Sequence, residues 1–122
     1  MKRELPLSDD GEIERLVRDF EALSLPRANW THRAHLAVGV HYVRHRGLDG
    51  ALQQMRQRLQ AYNLAWGDPD GYDEAITASY LCSIAADISA DDHTVSMAEQ
   101  VARLEKRWPS GITPPPRPPS PC

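Results

Sequence analysis

Four of the five histidines of this 122-residue chain fall within fourteen positions, at His32, His35, His41 and His45. A neutral imidazole can accept a proton or bind a metal ion. His32 and His35 are spaced i, i+3, which puts both rings on one side of a helix. They follow Trp30 and Thr31, and Thr31 is a suitable N-cap. Both histidines therefore belong to a first helical turn, where the positive end of the dipole repels a further positive charge and favours the neutral ring. His41 and His45 are spaced i, i+4, a workable spacing for two metal ligands on one helix. No carboxylate of that helix accompanies them, and Arg44 and Arg46 flank the second, so they read as a basic helix face near its C-terminus. At ~100° per residue, Leu36, Val40 and Val43 define the apolar face. His32 falls on it, His35 at its edge, and His41 and His45 point away. The cluster is two pairs, not one site.

A carboxylate can join the first pair. In a later helix Thr77, Leu81, Ile84 and Ile88 form the apolar stripe. Glu74 lies at the edge of that stripe, facing core or cleft, where it needs a partner. Asp73 is adjacent but turned ~100° away. If the two helices run parallel with another between them, their first turns lie at one level, and two histidines and an acid converge there. Trp30 and Tyr72 stand just before the two helices and line the same pocket, as contacts for a ligand or cofactor. The expected site is a divalent metal (Zn, Fe, Mn or Ni) held by His32, His35, Asp73 and Glu74. His32 and Glu74 are then the acid–base pair in hydrolysis of, or proton abstraction from, a small molecule. The alternative is a non-catalytic binding or accessory protein, with the His–carboxylate cluster a structural hydrogen-bond network and the acids simply stabilising a helix N-terminus.

These residues carry a resemblance. Trp30-Thr31-His32-Arg33-Ala34-His35-Leu36, then Tyr62-Asn63, then Gly71-Tyr72-Asp73-Glu74-Ala75-Ile76-Thr77 is similar to the pattern of a family of small α-helical bacterial proteins of unassigned function. That pattern reads Trp/Phe-Thr-His-x-x-His-Leu, Tyr-Asn, and Gly-Tyr-His-Glu-x-Ile-Thr. The resemblance covers roughly residues 18–85. In the family pattern a third histidine precedes the glutamate. Asp73 stands there in this chain, so a three-histidine metal site would exchange one nitrogen ligand for oxygen. The stretch after about residue 90 does not follow the pattern.

The elements that must position these residues are helical. Ile13, Leu16, Val17, Phe20 and Leu23 mark a helix over 12–23, with Ser8, Asp9 and Asp10 available as caps. A second helix runs over 32–46 and stops at Gly47. Leu48, Leu52, Met55, Leu59 and Tyr62 mark a third over 49–65, with Asp49 as its cap. Gly67 to Gly71 is a turn. A fourth helix covers 72–89. A fifth covers 93–107, capped by Asp91 or Asp92, with Val95, Ala98, Val101, Ala102 and Leu104 on one side. No segment alternates with the period of a strand. The fold class is all-α: a bundle of four to five helices over residues 1–108. Half of the last fourteen residues are proline, so 109–122 reads as a disordered polyproline II tail.

Composition narrows the partners. With 41 % hydrophobic and 25 % charged residues the chain has enough apolar side chains for one core. A net charge of −3 offers no basic field to a nucleic-acid backbone. No apolar run approaches the ~20 residues that span a bilayer, and the first residues do not read as a secretory signal. The two cysteines, Cys82 and Cys122, read as reduced thiols in the cytoplasm. The expected partner is a small-molecule ligand, with no nucleic acid and no membrane; the sequence leaves the oligomeric state open.

Overall fold

The computed structural model describes residues 5–67, 74–90 and 95–107. Four α-helices and one 3-10 turn make up its elements: α1 (Asp10–Glu21), the turn Arg27–Asn29, α2 (His32–Ala65), α3 (Glu74–Ala90) and α4 (Met97–Arg107). There is no strand among the described residues. The all-α reading of the sequence holds.

Caps set the helix starts. Asp9 accepts from the Glu12 amide and begins α1, while Glu12 reaches back to the amide and hydroxyl of Ser8, each at 2.7 Å. That reciprocal pattern satisfies amides that the first turn leaves over, and the Ser8 hydroxyl holds the Glu12 carboxyl below its ordinary proton affinity. Thr31 caps α2 through its hydroxyl at the Ala34 amide. The start of α4 takes its carboxylate from another helix: Asp10 accepts from the Met97 and Ala98 amides, at 3.3 and 3.0 Å, beside the Ser96 hydroxyl on Glu99. Asp91 and Asp92 lie outside the described residues.

The 34 residues of α2 are two arms, 32–46 and 48–65, on either side of Gly47 at φ 74°, ψ 176°. A straight helix of that length would be about 51 Å long at ~1.5 Å per residue. The rings of Trp30 and Tyr62, at its two ends, are instead 5.4 Å apart. The chain therefore doubles back at Gly47. Leu23, assigned by period to the apolar stripe of the first helix, lies past the end of α1 and is 39 % exposed, at φ 62°.

α3 advances beside the first arm of α2 in the same direction. Tyr80 meets His32, and Leu81 and Ile84 meet Gly39. A Cβ at Gly39 would lie 2.7 Å from Ile84 Cδ1, so the missing side chain is what lets the two helices approach. α4 returns the other way, with Glu105 at Arg33 and Gln100 at Arg44. The core contains Ile13, Leu16, Phe20, Leu36, Val40, Tyr42, Tyr62, Leu81, Ile84 and Leu104, all nearly inaccessible. Burial at this density is the main term holding such a bundle together.

Cys82 is buried in α3 and is disulfide-bonded, not the free thiol expected from the sequence. Its partner lies outside the described residues. No described helix is long and apolar enough to cross a membrane. Residues 109–122, read as a tail, also lie outside the described set.

Candidate functional site

The first turn of α2 is fixed from below by a short segment that the second arm braces. Leu25 accepts a hydrogen bond from the Tyr62 hydroxyl at 2.9 Å. Arg27 donates to the buried Asn63 side chain at 3.1 Å and lies over the Tyr62 ring. The Tyr62-Asn63 pair thus holds the stretch that delivers Trp30 and Thr31 to the start of the helix. No periodicity announces this, because both partners lie more than thirty residues from the segment they hold.

Trp30 is 3 % exposed. Its indole stacks on Phe20 at 4.7 Å and 11°, and also meets Tyr62 and His35. The sequence placed Trp30 as a pocket wall; the structure places it in the core, as the platform of the His35 ring, 4.0 Å away. Aromatic contacts of this kind contribute ~0.5–1.5 kcal/mol beyond area burial.

His35 is half-buried, and its Nδ1 lies 2.6 Å from the Thr31 carbonyl oxygen. A carbonyl only accepts, so Nδ1 carries the hydrogen. In the neutral ring the lone pair then resides on Nε2. A histidine oriented this way by a backbone carbonyl has the tautomer and rigidity that proton transfer and metal ligation both use. His32, the first residue of α2, is also half-buried and meets the Tyr80 ring edge-on at 6.3 Å. Burial raises the proton affinity of the Tyr80 phenolate above its ordinary value. Tyr80 was not singled out from sequence. Its position three residues after Thr77 on the stripe is the signal that could have found it.

Glu74 opens α3 and forks onto Arg56 of the second arm, at 2.9 and 2.7 Å. Its side chain is 49 % exposed, not turned to the core as the period of its helix suggested. The guanidinium, from eighteen residues upstream, draws it outward. Exposed ion pairs contribute ~0–1 kcal/mol. Glu74→Gln is therefore expected to shift the denaturant midpoint only slightly; a loss above ~2 kcal/mol would show that the carboxylate carries more than this pair. Tyr72 and Asp73 lie outside the described residues. Among those described, no three or more His, Cys, Asp or Glu side chains gather closely enough to hold a metal ion. Arg33, between the two histidines in sequence, points elsewhere: it pairs with Glu105 at 2.9 Å and lines a groove of about 420 Å³ between residues 6–8 and α4.

No protein-family model, curated protein or solved structure matches the chain.

Proposed function

We propose that the start of α2 is a small-ligand site of acid–base or metal-binding character, with His35 Nε2 as its principal lone-pair atom and His32, three residues earlier in the same turn, as its second group. The observation that supports this most is the short Nδ1–H hydrogen bond from His35 to Thr31, on a ring whose position Trp30 fixes. In this reading His35 accepts a proton from, or His32 and His35 ligate a Zn, Fe, Mn or Ni ion near, a small substrate. Asp73 is the carboxylate that could complete a metal set through oxygen. Glu74, through Arg56, anchors the first turn of α3 against α2. The reaction class is hydrolysis or proton abstraction.

A second reading is favoured by the contact between the His35 ring and the buried Trp30. There the histidine is a structural part of the core edge, and the domain is a non-catalytic binding or accessory protein.

Heat stability separates the two. A ligand bound only to the folded form adds ~2.7 kcal/mol at one hundred times its dissociation constant. The site reading expects Zn²⁺, Ni²⁺ or Mn²⁺, or a hit from a small-molecule panel, to raise the melting temperature of the wild type by more than that of His35→Ala. The structural reading expects His35→Ala to lower the melting temperature while each addition shifts the wild type and the variant alike.

A further inference from the structure

A different pair of histidines meets on the same arm of α2. The His41 and His45 rings have centroids 4.4 Å apart and planes tilted by 44°. Side chains four residues apart on a helix share a face, and at this separation one nitrogen from each ring can reach a single ion at the ~2.0–2.1 Å typical of zinc–imidazole bonds. We propose that His41 and His45 chelate one divalent transition ion of the nickel, copper or zinc class on the first arm of α2, with water completing its coordination.

Three observations support the pair over a plain basic helix face. First, the arginine next to His45 is engaged elsewhere: Arg44 donates to the Val95 carbonyl and to Gln100, at 2.8 and 3.0 Å, on the α4 side. Second, α1 presents acids. The carboxylates of Glu14 and Glu21 act on His41 and outweigh the opposing charge of Arg46. Third, His41 has a buried Nδ1 with no hydrogen-bond partner, so its Nε2 is the atom that meets an ion. Imidazole pairs suit copper, nickel and zinc more than magnesium or calcium. The absence of an acceptor for Nδ1–H means that no outer partner reinforces the ligand, so the affinity is modest.

Equilibrium dialysis of the full chain against Ni²⁺ at neutral pH tests this, together with Cu²⁺-induced broadening of histidine ring signals in NMR. One equivalent is expected on this pair, and the His41 and His45 signals should broaden first. His45→Ala, at an exposed position, is expected to weaken Ni²⁺ binding about tenfold or more without unfolding the protein, as is His41→Asn. His32→Ala and His35→Ala should leave this equivalent in place, which separates it from the site at the start of α2. Unchanged binding in His45→Ala, loss of the only bound equivalent in His35→Ala, or no binding to the wild type would each overturn the proposal.

Discussion

Trp30→Ala is expected to lower stability by ~3–5 kcal/mol, the range for removing a large aromatic from a core. A domain of this size has only ~5–15 kcal/mol in total, so the variant should lose a large fraction of its stability. The indole is 3 % exposed and touches Phe20, Tyr62 and His35, which come from three different segments. Its loss leaves a cavity at the point where α1, the second arm of α2 and the start of the first arm meet. Trp66 is the internal comparison. It is 41 % exposed and donates to the Leu23 carbonyl at 3.2 Å, so Trp66→Ala should cost well under half as much. Urea midpoints measured side by side check this. Equal losses in the two variants would contradict the placement of Trp30. Because Trp30 is the platform of His35, any ligand response of the first turn should vanish in Trp30→Ala even under conditions where the variant is folded.

Gly47→Val should follow, with a loss of ~1–3 kcal/mol. Its φ of 74° and ψ of 176° fall in a region essentially confined to glycine. A Cβ built there meets nothing within 4 Å, so the cost is backbone strain and not a clash. The strain has one evident escape. If residue 47 becomes helical, the two arms straighten into one rod and the second arm must find its partners on another copy, which is domain swapping. Size-exclusion chromatography is thus informative beside the unfolding curve: Gly47→Val is expected to be less stable or larger than the wild type. A variant with unchanged stability and size would show that the reversal at Gly47 does not have the geometry described.

The parts of the fold legible in the sequence were those fixed within a few residues. Gly47 marks a helix stop because of its own backbone freedom, and Asp9 and Thr31 cap because they precede apolar periodicity. Parallel packing of α3 with the first arm was one arrangement that the helix between them allowed. What lay beyond reach depends on partners distant in the chain. Trp30 looked like a pocket wall because Phe20 and Tyr62, which enclose it, belong to other elements. Glu74 looked inward because the period of one helix carries no information about Arg56 on another. Leu23 continued a stripe past the point where its helix ends. Asp10 was read as a cap of its own helix and serves α4 instead. In the candidate site the histidine pair was legible from spacing. The brace from Arg27, Tyr62 and Asn63 was not, since it needs the α2 hairpin to be closed.

The tautomer of His35 is the most direct measure of the proposed site. Long-range ¹H–¹⁵N correlation spectra of the imidazole rings at neutral pH should show Nδ1 protonated and Nε2 bare of hydrogen, and Zn²⁺ or a bound small molecule should move the Nε2 resonance. A ring protonated on Nε2 instead, or an Nε2 resonance that no metal or small molecule shifts, would contradict the account.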